Sequence, residues 1–280
     1  MGLVEIKKLF SKHQSLDFEK ASPINQNARG IPAIVIESEK IDCSQCGECT
    51  SGCPTNAITI EGKSKITFDY GACLQCGICT DLCPSKIIRD TNFIYVFGFH
   101  RDELKITFEN GNFEPKEYEY PPNVKSYQNL TNRNGMKYRE VAAAGNNSVE
   151  CELNASFNNF FDSEGNQITS VASPKHADAI LFSGPVSKNM EGPLRTAWEC
   201  TTEPKALIAG GTEAISGGVY PPGKLPAIPD LFIGGDPPRP DVMINAMRYL
   251  MGKWKFIFQK AFHERIVELK KKLKDKLDGK

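Results

Sequence analysis

Residues 43–54 read CSQCGECTSGCP and residues 73–84 read CLQCGICTDLCP. Both give Cys, two residues, Cys, two residues, Cys, three residues, Cys, Pro, repeated after thirty positions. Eight of the ten cysteines lie in these runs, and Cys151 and Cys200 stand apart. Three thiolates two residues apart on a tight loop can wrap three corners of a metal cubane, and the fourth corner must come from elsewhere. Gly47 and Gly77 let the backbone turn closely around the sulfurs with amides free to donate to them, while Pro54 and Pro84 end each loop in a fixed conformation. A disulfide scaffold would belong to an exported chain, and the opening MGLVEIKKLF lacks the long apolar core of an export signal. A zinc site would want two Cys-x-x-Cys pairs, not two runs of four.

The doubled run resembles that of bacterial ferredoxins with two 4Fe-4S clusters, in which the last cysteine of each run ligates the other cluster. The resemblance implies one cluster on Cys43, Cys46, Cys49 and Cys83, and a second on Cys73, Cys76, Cys79 and Cys53. Strand-like segments follow each run at 57–61 (AITIE) and 87–89, so a pseudo-twofold module is expected over 37–90, after an N-terminal extension at 1–36. Such a module passes single electrons between its clusters and performs no bond chemistry of its own.

Outside the runs the composition is ordinary for a globular chain of 280 residues, with 40% apolar and 24% charged side chains, which excludes collagenous and disordered classes. No apolar stretch approaches the roughly 18 residues needed to cross a bilayer, the longest candidate being 93–99. That stretch reads as a buried strand, residues 104–113 (LKITFENGNF) as a hairpin turning at Asn110-Gly111, and Pro121-Pro122 as a break in regular structure. Residues 91–136 are therefore expected to form a connector or insertion.

From 137 to 252 short apolar strands end in Gly or Asn loops and lead into helical patterns. YREVAAAG precedes 148–160, DAILFSG precedes 187–199, KALIAGG precedes 213–220, and PDLFIGG precedes 240–251. Strands alternating with helices imply crossover connections and a parallel sheet covered on both faces. The fold class is α/β, with the working loops at the strands' carboxyl ends, at 145–151, 184–187, 210–218 and 234–239.

The motifs ADAILFSGPV (177–186), EPKALIAGG (203–211), SGGVY (216–220) and GGDPPRP (234–240) resemble the small subunit of membrane-bound, energy-converting (group 4) NiFe hydrogenases and the related twenty-kilodalton subunit of complex I. The lead-in RGIPAIV (29–35) and the cysteine runs resemble the two-cluster ferredoxin subunit of the same complexes. The resemblance implies a flavodoxin-like domain that carries, in the family, one further 4Fe-4S cluster on four cysteines. Laid on this chain, those positions are Ser148 and Cys151 in the first loop, Glu213 before Ser216-Gly217-Gly218, and Asp236 before Pro237-Pro238. Only one thiolate remains, and Ser, Glu and Asp oxygens are harder ligands that bind iron-sulfur cores less well. The third cluster is therefore expected to be absent; the alternatives are an unconventional metal site on these four residues, or carboxylates that face solvent or pair with a partner's Arg or Lys.

These features together lead us to expect an electron-transfer subunit of a hydrogenase-related complex, with two 4Fe-4S clusters and a second domain that serves as a docking scaffold. The resemblance implies a large hydrogenase-like or complex I-like subunit and membrane subunits as partners, reduced ferredoxin or a similar electron donor, and a peripheral place on the inner, cytoplasmic face of the membrane. The other readings are a redox subunit whose path is completed by a third, unconventional metal site at Ser148, Cys151, Glu213 and Asp236, and a soluble ferredoxin-like carrier. Residues 253–280 carry ten Lys or Arg against four acids, and Trp254, Ile257, Ala261, Arg265 or Ile266, Leu269, Leu273 and Leu277 recur at helical spacing. This basic amphipathic helix either docks to a partner or anionic membrane, or packs on the sheet and leaves a solvated tail. Nucleic acid binding is not expected, since no accompanying motif is present. His13, His100, His176 and His263 have no ligand spacing, although His176 in SPKHAD matches a family loop that faces the large subunit. Cys200 is expected to be a semi-buried residue at a helix end. GGTEAISGG and GGDPPRP lack the Gly-Lys-Ser/Thr ending of a phosphate loop.

Overall fold

The computed structural model of the chain describes residues 15–36, 43, 46–62 and 64–278. Residues 1–14 of the expected extension, and the side chain of Leu277 in the helical stripe, lie outside the described residues. Strand β1 (Pro32–Ile34) pairs antiparallel with β4 (Ile88–Asp90), Ile34 opposite Ile88. Strands β2 (Ile58–Glu61), β3 (Lys65–Asp69) and β6 (Lys105–Glu109) form a second antiparallel sheet in that order. The sequences of β3 and β6, KITFD and KITFE, alternate with period two, so Ile66, Phe68, Ile106 and Phe108 point inward. On the other face Thr67 and Thr107 sit opposite each other with their hydroxyls 2.8 Å apart.

The large sheet has six strands in the order β5-β11-β10-β9-β7-β8. Here β5 is Phe97–Gly98, β7 Met136–Ala142, β8 Ile168–Ser170, β9 Ala179–Ser183, β10 Ala206–Gly210 and β11 Leu231–Ile233. All neighbours are parallel except β5, which runs antiparallel on the edge beside β11. The five parallel strands follow the 2-1-3-4-5 order of flavodoxin-like sheets, whose switch point puts functional loops at the strands' carboxyl ends. Strands β9 and β10 are buried along their whole length, because both faces of a parallel sheet are covered and the strand must be apolar throughout.

Residues 91–136, expected as a connector, supply β5 to the large sheet and β6 to the small one, and so join the two halves. Residues 93–99 are almost wholly buried, but only Phe97–Gly98 enters a ladder. Asn110 (φ 50°) and Gly111 (φ 77°) turn the chain as anticipated, yet the hairpin stops at a single bridge between Glu109 and Asn112, because β6 finds its partner in β3. The expectation at Pro121-Pro122 is corrected. Pro122 opens a helix (Pro122–Asn134), since proline at the first helical position has no amide to lose and a φ already suited to the turn.

Helices flanking the ligand loops and the sheet are α1 (Glu48–Ser51), α2 (Ile78–Leu82), α3 (Pro122–Asn134), α4 (Ser148–Ala155), α5 (Glu191–Cys200), α6 (Thr212–Ser216), α7 (Pro240–Leu250) and α8 (Phe258–Asp278). The first half of the apolar face of α8 packs inside the chain through Phe258, Phe262 and Ile266, whereas Leu269 and Leu273 beyond it are only half-buried. Phe258 and Phe262 meet Tyr70 of the cysteine-rich half edge-on at 6.0 and 5.3 Å, and Phe262 packs on Phe93 at 5.1 Å. Each buried ring contributes about 1.5–3 kcal/mol relative to exposure. Arg265 is buried too, its Nε donating to the Thr91 carbonyl at 2.8 Å and its Nη1 to Glu268 at 2.7 Å. Lys270 donates to the Gly111 carbonyl at 2.8 Å, so part of the tail's positive charge is also committed internally.

Candidate functional site

In each cysteine run the second cysteine is followed by a left-handed glycine, Gly47 (φ 78°) or Gly77 (φ 79°), which starts a one-turn helix, α1 or α2. The third cysteine, Cys49 or Cys79, is buried on that helix, and the fourth follows it. Two small cavities result. Cys43, Cys46, Cys49 and Cys83 line one, with Ile60, Ile66 and Ile88 around them. Cys53, Cys73, Cys76 and Cys79 line the other, with Pro32, Ile58 and Phe68. Three cysteines from one run thus share a cavity with the last cysteine of the other.

Backbone amides face these sulfurs: Ala57 N–H donates to Cys53 Sγ at 3.2 Å and Gln75 N–H to Cys73 Sγ at 3.4 Å. Burial pushes the Cys73 and Cys79 thiols up to about 12 and Cys49 up to about 11. Left to themselves these sulfurs stay protonated, so binding a cluster to them releases protons as the thiolates form. Among the described residues no three His, Cys, Asp or Glu side chains converge tightly enough to hold a single metal ion. Four soft thiols spread over the walls of one cavity suit a cubane, which takes one ligand at each iron corner.

The loops at the carboxyl ends of β7, β9, β10 and β11 meet beside the second cavity. They come close because Gly145 and Gly184 have no side chains: a Cβ on Gly184 (φ 76°) would lie 2.2 Å from the Gly145 nitrogen. Glu213 and Asp236 are brought together on Asn146, whose backbone N–H donates to Glu213 Oε2 at 3.2 Å and whose Nδ2 donates to Asp236 Oδ1 at 3.4 Å. Burial raises the Glu213 carboxyl above its usual range, with Asp236 and Glu150 adding to the shift and the Asn146 amide opposing it. Ser148 N–H donates to Asn146 Oδ1 at 3.0 Å, but the Ser148 hydroxyl is buried without a partner. Cys151 is exposed, and its sulfur accepts from Asn147 Nδ2 at 3.7 Å. Glu213, Asp236 and Asn146 line a cavity of about 780 Å³ with Leu74, Lys188 and Tyr220, and neither Ser148 nor Cys151 is among its walls.

Three residues here lie outside the motif positions. Asn146 is one; Glu150, buried and accepting from the Ser183 hydroxyl, is another. The third is Thr212, whose hydroxyl donates to the Cys73 carbonyl at 3.1 Å across the two halves of the chain. The one signal for them in the sequence is their place in or beside a strand-end loop. His176 is exposed on a short turn, Pro174–His176. Cys200 closes α5 as anticipated but is exposed, not semi-buried.

Residues 42–87 match the family described as the 4Fe-4S dicluster domain, and residues 145–250 match the family described as NADH ubiquinone oxidoreductase, 20 Kd subunit. The chain joins a 4Fe-4S dicluster domain to an oxidoreductase small-subunit domain. Formate hydrogenlyase subunit 7 of Escherichia coli is 34% identical over 127 residues, 43% of this chain and 49% of that protein. An NADH-quinone oxidoreductase subunit of Protochlamydia amoebophila is 38% identical over 91 residues, 30% of this chain and 56% of that one. The probable membrane-bound hydrogenase subunit mbhJ of Pyrococcus furiosus is 30% identical over 108 residues, 36% of this chain and 65% of that one. The chain spans about half the length of the first two relatives. The small-subunit domain contains the acidic loop cluster, and the dicluster domain contains both four-cysteine cavities.

Proposed function

We propose that the chain is an electron-transfer subunit of a membrane-associated complex related to hydrogenases and complex I. It carries two 4Fe-4S clusters, one on Cys43, Cys46, Cys49 and Cys83 and one on Cys73, Cys76, Cys79 and Cys53. The observation that carries this reading is the exchange of fourth cysteines, since each cavity is closed by a thiol from the opposite run. When bound, the clusters supply reversible one-electron storage. The chain's own residues hold them: the cysteines ligate, the Ala57 and Gln75 amides stabilise charge on sulfur, and Ile58, Ile66 and Phe68 keep water away.

The small-subunit domain acts in this reading as a docking scaffold without a cluster of its own. Support comes from the exposed position of Cys151 and from Glu213 and Asp236, which are occupied with Asn146. The partners are a large hydrogenase-like or complex I-like subunit and membrane subunits, with a reduced ferredoxin or similar protein as donor. No helix among the described residues is long and apolar enough to cross a membrane, and in this reading attachment to the inner, cytoplasmic face runs through those subunits. Anaerobic iron and sulfide analysis tests the proposal. About eight irons per chain is the expected result, whereas about twelve would establish a third cluster and overturn the scaffold role. Purification as a stable monomer without membrane partners would favour a soluble carrier instead.

A further inference from the structure

The two cysteine runs are alike in spacing but not in what touches them from the small-subunit domain. Helix α6 of that domain lies against the loop that begins the second run. A Cβ on Gly71 would sit 3.0 Å from Ile215 Cγ2, and Leu74 shares a cavity wall with Glu213. The helix begins at Thr212, which is fully buried. Its hydroxyl donates to the Cys73 carbonyl at 3.1 Å and accepts from the Gly235 amide at 3.2 Å, while its own amide donates to the Gly235 carbonyl at 2.9 Å. The hydroxyl is therefore held in one orientation by the loop that also carries Asp236. Among the described residues no hydrogen bond joins Cys43, Cys46, Cys49 or Cys83 to the small-subunit domain.

We propose that Thr212 is a positioning residue for the cluster on Cys73, Cys76, Cys79 and Cys53, fixing its ligand loop against the small-subunit domain and tuning that cluster alone. The inference rests on the two-cluster reading. The hydroxyl dipole points its positive end at the ligand loop, so it favours the extra negative charge of the reduced cluster; hydrogen bonding around the ligands is one of the levers that set cluster potentials. The side chain touches no iron and acts only through Cys73. A valine there keeps the shape and loses the donor.

The test is a redox titration of the full chain, loaded anaerobically and followed by electron paramagnetic resonance, with the signal of this cluster assigned as the one lost in Cys76→Ala. Thr212→Val is expected to shift its midpoint to lower potential and leave the other cluster unchanged, and Thr212→Ser, which retains the hydroxyl, is expected to restore the wild-type value. The proposal is overturned if Thr212→Val leaves both midpoints unchanged or moves both together, or if Thr212→Ser behaves like the valine variant. Should Thr212→Val fail to fold, Thr212→Ala compared with Thr212→Ser gives the same decision without the steric demand of valine. Wild-type protein that loads fewer than about eight irons instead refutes the two-cluster reading, a result visible before any variant is made.

Discussion

The four-cysteine cavities and the acidic loop cluster are built in opposite ways. Each cavity draws three of its thiols from one short cysteine run, so local spacing alone sets most of the geometry. The loop cluster draws on residues far apart in sequence, Asn146 being 67 positions from Glu213 and 90 from Asp236, and only the order of the parallel strands brings them together. The first kind of site fails when a ligand is lost. The second takes its shape from the strands that place its loops and from a single asparagine that links the two carboxylates.

The largest effect expected from this contrast is on iron content. Cys53→Ala should lower it from about eight to about four irons per chain, and the surviving spectrum should match that of Cys76→Ala, not that of Cys46→Ala. Cys83→Ala should do the converse. Matching in the uncrossed sense would break the exchange of fourth cysteines. Next comes Phe262→Ala, which removes a ring from the junction of α8 with Tyr70 and Phe93 and should cost about 3–5 kcal/mol in denaturant unfolding. A cost near zero would return α8 to the role of a free docking helix. Asn146→Ala should be milder, about 1–2 kcal/mol for two lost hydrogen bonds, with iron content unchanged. Loss of iron in this variant would mean that the loop cluster takes part in holding a cluster.

How much can be read from sequence follows the same division. The cysteine runs and the strands β7, β9, β10 and β11 are legible because spacing, period and apolar runs are local signals. The edge strand β8 is not, since Ile168–Ser170 is a strand only by virtue of the neighbour it meets, and of the buried strand read over 93–99 only Phe97–Gly98 pairs with a neighbour in the large sheet. The helix at Pro122 is hidden because a proline pair signals both a break and a start, and only the residues after it, with Val124, Tyr127 and Thr131 facing inward, decide between them. At the loop cluster the four family positions can be found by motif, but not the residue that ties two of them together. Asn146 is no metal ligand by type, and its role depends on loops that meet only in the folded sheet.

The smallest expected effect concerns a buried carboxylate that, unlike Glu213, is fixed within the core of the sheet. Asp230 precedes β11, accepts from the Leu207 amide at 2.9 Å and from Asn123 of α3, and so pins that helix to the strands. Burial pushes its carboxyl up to about 6, against the hydrogen bond from Leu207. The folded state therefore holds this proton more tightly than the unfolded chain, and stability from this group is greatest at low pH and declines as pH rises toward the folded value. Between pH 5 and pH 8 that decline amounts to about 1 kcal/mol. Asp230→Asn keeps a carbonyl acceptor and cannot ionise. The difference in unfolding free energy between wild type and this variant should therefore move by about 1 kcal/mol in the variant's favour across that interval, whatever the clusters contribute to both. Parallel stability curves would show that Asp230 titrates as an ordinary carboxylate, and its burial against Asn123 and Leu207 would then carry no electrostatic cost.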